Sequence, residues 1–423
     1  MKSMQSADRP SVAVVGGGAA GLFAAALLLE AAVAVTLFEH KSETGKKLRI
    51  TGKGRCNLTN NCTPEEFLRE VPRNPRFLFS ALNACAPDDV MRFFEAHGVP
   101  LKTERGRRVF PVSDKAGDVV RALREATRAA HHIHAHVEDL LLSPEGNRAI
   151  GVVADGISYP FDAVLLATGG KSYPLTGSDG SGYGLAKKAG HTVTPLLPSL
   201  VPLESRHPLC KELQGIAPKN VGFEIKERTT DKALVRDFGE LLFTHFGISG
   251  PVVLSASAHL RDKAINTLDA VIDWKPALDE KTLDARLLSD FSKYANRSLE
   301  NAMVDLLPAR VIPVLLSMAN VDQDKKANLL TREERKRILR ALKSFTVPLD
   351  GYRPIEEAVV TSGGVDVREI SPKTMMSKKA DGLFFAGEII DVDAYTGGYN
   401  LQIAFCTAAA AARGMAAYID NKK

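Results

Sequence analysis

The stretch Ser11-Val-Ala-Val-Val-Gly-Gly-Gly-Ala-Ala-Gly-Leu-Phe-Ala-Ala-Ala-Leu-Leu-Leu-Glu30, followed by Val33-Ala-Val-Thr-Leu-Phe-Glu39, decides how the rest of the chain is read. Ser11–Val15 is a short β-branched run that ends in glycines, Ala19–Ala32 is a strong helix former, and Val33–Glu39 is again strand-like. That order predicts a β-α-β unit with a parallel strand pair, the start of a doubly wound sheet. Gly16, Gly18 and Gly21 satisfy G-x-G-x-x-G at the strand-to-helix turn, and Glu39 ends the next strand 18 residues after Gly21. Gly16 permits the tight turn, Gly18 lets backbone approach a pyrophosphate, and Gly21 lets the helix pack on the strand. The helix N-terminus, with Ala20 in its first turn, then offers free N–H groups to the phosphates, and Glu39 accepts from the adenosine ribose hydroxyls. NAD and FAD share this fingerprint.

Working outward, 423 residues exceed what one core usually supports, so more than one domain is expected. Hydrophobic residues make up 45% and charged residues 25%, values of an ordinary folded protein. The longest apolar stretches, Ala24–Leu29 and Ala31–Val35, are interrupted by Glu30 and fall short of a membrane span. Met1–Pro10 carries both signs of charge and lacks the order of a secretory signal, so a cytoplasmic location is expected. Cys56, Cys62, Cys85, Cys210 and Cys406 are odd in number and nowhere spaced as C-x-x-C, which argues against a disulfide framework or structural zinc. Residues 41–108 hold fourteen Lys/Arg against eight Asp/Glu in a chain whose whole net charge is +5, so the basic excess sits in that segment.

Beyond the first unit, helices are expected near Pro87–His97 and Ala116–Ala130, and strands at His132–Leu142 and Ile150–Val153. Ala163–Ala167 reads as a buried parallel strand ending in Thr168-Gly169-Gly170. From about Thr192 prolines punctuate short strand-like runs such as Asn220–Lys226 and Leu234–Phe238, the texture of an antiparallel sheet or barrel. Leu278–Ser344 reads as helical, buried-strand character returns at Leu383–Ala386, and a long Ala-rich helix pattern runs from about Asn400 to Tyr418. A doubly wound domain over 1–191 and 350–423 is therefore expected, interrupted by a β-rich insert at 192–277 and a helical insert at 278–349.

Two features favour FAD over NAD: the strand end Ala167-Thr168-Gly169-Gly170, and Gly382-Leu-Phe-Phe-Ala-Gly-Glu388 leading to a glycine turn and C-terminal helix. Both recur in flavoproteins with two dinucleotide-binding domains. There the C-terminal helix aims its N-terminus at the flavin pyrimidine and stabilises the charge that reduction places on it. The chain also resembles a particular family, the YhiN/BaiN-like flavoproteins, over essentially its whole length. The resemblance rests on Gly45-Lys-Lys-Leu-Arg-Ile-Thr-Gly-Lys-Gly-Arg-Cys-Asn-Leu-Thr-Asn60, Leu242-Phe-Thr-His-Phe-Gly-Ile-Ser-Gly-Pro251, Thr361-Ser-Gly-Gly-Val365 and Ala386-Gly-Glu-Ile-Ile-Asp-Val-Asp-Ala-Tyr-Thr-Gly-Gly-Tyr-Asn-Leu401. It implies a discontinuous Rossmann-like FAD domain (α/β) interrupted by a β-barrel-like insert and a small helical insert. It also implies reduction of activated carbon–carbon double bonds, in steroid-like enones for some members and in a ribosomal RNA uridine for others. In that chemistry reduced flavin delivers hydride from N5 and a general acid protonates the neighbouring carbon.

Lys41–Asn60 has six basic residues and one acid, and Lys47, Arg55 and Asn57 are read as contacts to pyrophosphate, flavin or an anionic substrate; the alternative is a solvated basic loop. Cys56, among those cations, is expected to have a lowered pKa and to serve as the proton donor, the alternative being a packing residue beside the flavin. His245 is a substrate-side candidate or a core histidine satisfied by backbone. Thr168, Gly169, Gly387, Glu388, Asp391, Gly398, Asn400 and Leu401 complete the expected cofactor contacts; Glu388, Asp391 and Asp393 are read as ribityl contacts or turn braces, and Tyr395 and Tyr399 as substrate-facing. His131, His132, His134 and His136 invite a metal reading, three of them alternating on one strand face, but no carboxylate or cysteine cluster accompanies them. Arg105-Gly-Arg-Arg108 in a hairpin-like turn, with Arg69, Arg73 and Arg76 upstream, suits phosphate contacts on RNA. The expected partners are ribosomal RNA or a small-molecule enone, with NADH or NADPH binding transiently as electron donor. A flavin-binding RNA-associated protein without turnover is the rival from another class.

Overall fold

A computed structural model describes residues 10–421; the first nine residues, where the absence of a secretory signal was read, and the last two lie outside the described residues. Five strands form a parallel sheet in the order Leu383–Phe385, Ala163–Leu166, Ser11–Val15, Ala34–Phe38, His131–Ile133. Val12–Val15 and Ala163–Leu166 are buried throughout, which is why they read as unbroken apolar runs rather than alternating ones. Helix Ala19–Glu30 is apolar nearly all round and packs against both the sheet and the C-terminal helix Tyr399–Asp420. The small side chains Ala408–Ala412 let that last helix lie close, and a Cβ at Gly414 would sit 2.5 Å from the Thr374 carbonyl oxygen.

The described residues fall into two compact units, one running to Ser199 and resuming at Ile355, the other Leu200–Pro354. In the first, the antiparallel pair Leu197–Ser199 with Val360–Ser362 joins the outgoing chain to the returning one. A three-stranded sheet of Thr59–Asn60, Arg108–Pro111 and Leu101–Glu104 and another of Val137–Leu142, Ala149–Ala154 and Ile157–Pro160 complete this unit's strands. The single strand expected over His132–Leu142 is thus two. His131–Ile133 joins the parallel sheet, Val137–Leu142 joins an antiparallel one, and the chain must turn between them. His132, His134 and His136 therefore do not share one strand face.

The second unit holds two antiparallel sheets, one ordered Ala233–Gly239, Val221–Glu227, Leu268–Asp273, Phe345–Pro348 and one ordered Leu242–Thr244, Gly247–Ser249, Leu203–Glu204, Gly351–Tyr352. Helices Glu280–Lys293, Val311–Met318 and Arg332–Lys343 share a single core with these strands, around Phe243, Trp274 and Phe345. Asp279 caps the first of these helices and a Thr331/Glu334 capping box starts the last, so both begin where an acceptor side chain meets free N–H groups. No helix among the described residues is long and apolar enough to cross a membrane.

Candidate functional site

The turn Gly16–Gly21 uses its glycines in different ways. Gly16 has φ +103° and a Cβ there would lie 2.5 Å from the Ala167 carbonyl oxygen; at Gly21 a Cβ would lie 1.9 Å from the Gly16 carbonyl oxygen. Those two positions are closed by the protein's own backbone. Gly18 is different: its φ of −84° is open to any residue, and no protein atom lies within 4 Å of a Cβ placed there. Neither conformation nor packing asks for glycine at 18, so the open space sits where a ligand would approach the N-terminus of Ala19–Glu30. Glu39 faces this turn. Its carboxylate accepts from Gly17 N at 2.9 Å and Lys41 N at 2.8 Å, with lone pairs left over for ribose hydroxyls.

The strand end after Leu166 adds a second wall. Thr168 Oγ1 and Ser178 Oγ are buried without a hydrogen-bond partner among the described residues, and Ser178 is only 5% exposed. Gly169, with φ +76°, keeps its place because a Cβ would lie 2.8 Å from Ser178 Oγ. Buried unpaired hydroxyls cost about 1–3 kcal/mol each, so partners brought by a polyhydroxylic, phosphate-bearing ligand would offset a real penalty. The residues present fit FAD.

A polar knot closes the other end. Lys47 Nζ donates to Glu388 Oε2 at 2.6 Å and to Ser172 Oγ at 2.7 Å, while Glu388 Oε1 accepts from Thr361 N at 2.8 Å and Ser172 Oγ at 3.0 Å. Gly387 precedes it with φ +77°, and a Cβ would come 2.9 Å from the Ala20 Cβ, so the C-terminal strand end touches the first helix. Asp391, buried, is ion-paired with Arg73, and Asn74 Nδ2 donates to its carbonyl at 2.6 Å. Asp393, also buried, accepts from Ser199 Oγ at 2.7 Å and Ser362 Oγ at 3.0 Å; burial pushes its carboxyl above the usual range. One carboxylate thereby holds both strands of the pair that leaves and re-enters this unit.

Gly398 opens helix Tyr399–Asp420 with φ +97°, and a Cβ there would lie 2.3 Å from the Thr59 carbonyl oxygen. Asn57, with its amide oriented to satisfy its neighbours, accepts from Gly398 N at 2.9 Å. Asn400 braces the preceding turn, accepting from Ala394 N at 2.9 Å and donating to the Ala394 carbonyl at 2.7 Å. Leu401 packs half-buried on the core. Asn57, Gly398 and Asn400 thus shape the helix entrance through backbone contacts.

Two residues of the Lys41–Asn60 stretch behave differently from expectation. Arg55 turns outward to Glu104 at 2.5 Å and Asp114 at 2.6 Å, its guanidinium 4.1 Å from the Phe110 ring centroid. The lowered pKa expected for Cys56 is reversed: the residue is fully buried in a left-handed conformation, φ +60°, and burial pushes its thiol up to about 12. Of the cations counted in the sequence, Lys47 is spent on Glu388 and Arg55 on Glu104 and Asp114, and burial decides the direction of the shift. His245 belongs to the second unit, exposed on the turn between Leu242–Thr244 and Gly247–Ser249 with its ring 5.1 Å from Phe246.

Ser172, Ser178, Thr361 and Arg73 were not singled out for these roles from sequence. Thr361 lies in one of the family motifs, yet what it contributes is its own backbone N–H, donated to Glu388 Oε1, a contact that depends on residues 27 apart meeting.

A family model described as HI0933-like protein Rossmann domain matches residues 10–414. The chain is 32% identical over 413 residues to a protein of Clostridium scindens named 3-dehydro-bile acid delta(4,6)-reductase, covering 96% of this chain and 98% of that one. It is 30% identical over 412 residues to the ribosomal RNA dihydrouridine synthase of Escherichia coli, covering 97% and 99%. Among solved structures, 3-ketosteroid delta1-dehydrogenase from Sterolibacterium denitrificans shares the fold, with a TM-score of 0.53 at 13% identity over 96% of this chain and 99% of that one.

Proposed function

We propose, from the premise that this chain belongs to the HI0933-like family of Rossmann-domain proteins, that it is an FAD-dependent oxidoreductase saturating an activated carbon–carbon double bond, with a ribosomal RNA uridine as its substrate. The observation that carries the cofactor half is Gly18, a glycine that neither its backbone angle nor any protein neighbour requires, at the mouth of a buried helix. The chemistry half is supported by relatives whose names differ in substrate but both describe saturation of a ring double bond.

In this reading Gly16–Gly21 and the N-terminus of Ala19–Glu30 hold the pyrophosphate, Glu39 the adenosine ribose, and Thr168 and Ser178 supply hydroxyls that otherwise lack partners. Lys47, Glu388, Ser172 and Thr361 fix the strand-end loop against the ribityl side. When bound, FAD supplies two-electron reduction of the double bond, with NADH or NADPH as the source of electrons. Gly397-Gly398 and Asn400 orient the N-terminus of the last helix, whose positive dipole end stabilises negative charge developing nearby. In this reading Cys56 is a packing residue, because its side chain is fully buried in the core of the FAD unit.

A small-molecule enone is the second reading, favoured by the relative named for a bile acid. The test compares RNA nucleosides from cells with and without this protein and follows reoxidation of the anaerobically reduced protein by ribosomal RNA and by a 3-keto-4-ene steroid. Loss of dihydrouridine together with rapid reoxidation by RNA is the expected result. Unchanged dihydrouridine with rapid reoxidation by the steroid would transfer the assignment to the enone, and failure of both would leave a flavin-binding protein without this turnover.

A further inference from the structure

The hairpin of Leu101–Glu104 and Arg108–Pro111 carries Arg105-Gly-Arg-Arg108 at its tip, and all four residues are exposed. Gly106 (φ +75°) and Arg107 (φ +58°) fold the tip tightly. Asn60 fixes where this tip sits. Its Nδ2 donates both to the Gly106 carbonyl at 3.0 Å and to the Gly397 carbonyl at 3.1 Å, and Asn61 N donates to the Arg107 carbonyl at 2.8 Å. One side-chain amide thus links the arginine tip to the glycine turn that opens helix Tyr399–Asp420.

The charges around the tip are unevenly matched. Arg107 is paired with Glu66 at 2.5 Å, Lys102 with Asp114 at 2.7 Å, and Arg55 consumes Glu104 and the other face of Asp114. Arg105, Arg108 and Lys53 have no carboxylate within ion-pair distance among the described residues, and all three are exposed. Phe110 supports two of the loops involved: the Arg108 guanidinium lies 5.8 Å from its centroid, and a Cβ at Gly52, next to Lys53, would be 3.5 Å from its ring. Three uncompensated cations on two loops sharing one aromatic support form a surface for an extended polyanion. A neutral enone gains nothing from them.

We infer that the Arg105–Arg108 tip and the Lys53 turn grip backbone phosphates of an RNA strand flanking the reduced base. This rests on the reading of RNA as substrate, and it assigns the hairpin as the element that selects a nucleic acid. Each phosphate contact on a single strand releases a counterion and contributes about −0.7 to the slope of log K against log salt.

The probe is fragmented ribosomal RNA from cells lacking this protein, with binding measured by filter retention across a salt series. Arg105→Gln/Arg108→Gln should weaken binding at least about tenfold near 0.1 M salt and flatten the slope by about 1.4, with FAD occupancy and melting temperature as checks on folding. Arg105→Glu, at a side chain with no ion-pair partner to lose, should weaken it further by repulsion. Wild-type protein that forms dihydrouridine while both variants keep its affinity and slope overturns the surface and leaves the substrate reading intact. Wild-type protein that neither binds the fragments nor forms dihydrouridine overturns both.

Discussion

Two glycine-rich loops approach the proposed cofactor site, and they spend their glycines on opposite ends. In Gly16–Gly21 the backbone itself closes Gly16 and Gly21 and leaves Gly18 open, with buried hydroxyls nearby still unpaired. In Gly52–Asn57 the glycines serve a left-handed path: Gly52, Lys53, Gly54 and Cys56 all have positive φ, and the two side chains read as cofactor or acid candidates are held by the protein, Arg55 outward to carboxylates and Cys56 inward to the core, while Lys53 stays exposed. The same composition means room for a ligand in one loop and turn geometry in the other. Only position-by-position geometry separates them.

The sharpest attempt to break this comparison is Gly18→Val against Gly54→Ala. Valine fits the backbone and meets no protein atom at 18, so the variant should fold with a near wild-type melting temperature and be isolated depleted of FAD, a loss of affinity of about fivefold to 150-fold from a clash of about 1–3 kcal/mol. Gly54→Ala also meets no neighbour but must hold φ +84°, so it should cost about 1 kcal/mol of stability and keep its flavin. Flavin absorbance per protein reads both. Full FAD occupancy in Gly18→Val would mean that the phosphates are placed wrongly.

Gly21→Val asks the converse question within the first loop. Its Cβ would overlap the Gly16 carbonyl oxygen, so the loss should appear in the fold, about 1–3 kcal/mol or more, before any effect on affinity can be read. A melting temperature equal to wild type would show that the turn relaxes freely.

Ser178→Ala sharpens the contrast further. Removing a buried hydroxyl without a partner should stabilise the FAD-free protein by about 1 kcal/mol while weakening FAD about fivefold to tenfold, opposite signs that a merely structural serine would not give. Denaturant melts of the stripped protein and fluorescence titration with FAD measure the two.

The legible part of the molecule is the part whose cause is local. Ser11–Glu39 announces itself because a buried parallel strand, a glycine turn, a helix and a second strand each have their own pattern, and Leu383–Phe385 and Tyr399–Asp420 do likewise. The break at His134–His136 was not legible, since alternation continues across it and only the separate partners of its two halves reveal it. In the site, Glu39 stands beside the glycine turn, and Lys47, read from sequence as a ligand contact, is bound to Glu388. What Lys47 and Arg55 do with their charge was hidden, because Glu388, Glu104 and Asp114 lie 341, 49 and 59 residues away in sequence. Counting cations near Cys56 gave the wrong sign for its thiol for that reason.

Cys56→Ser is the smallest predicted effect, and it tests the second loop's half of the comparison directly. If the thiol only packs, the variant should bind FAD normally, be reoxidised by substrate within about twofold to threefold of wild type, and lose about 1 kcal/mol of stability from burying a more polar atom. A positioned acid would instead cost about 10²-fold or more. The pH dependence follows from the raised thiol. Its folded value near 12 lies above the ordinary value of 9.0, so the contribution to stability is complete below pH 9 and fades as pH climbs toward 12. Removing the thiol should therefore leave the rate profile between about pH 6 and 9 unchanged and make alkaline unfolding less steep. A hundredfold loss of substrate-driven reoxidation with flavin content intact would show that the thiol reaches substrate, through a movement of the Thr51–Asn57 loop that uncovers it.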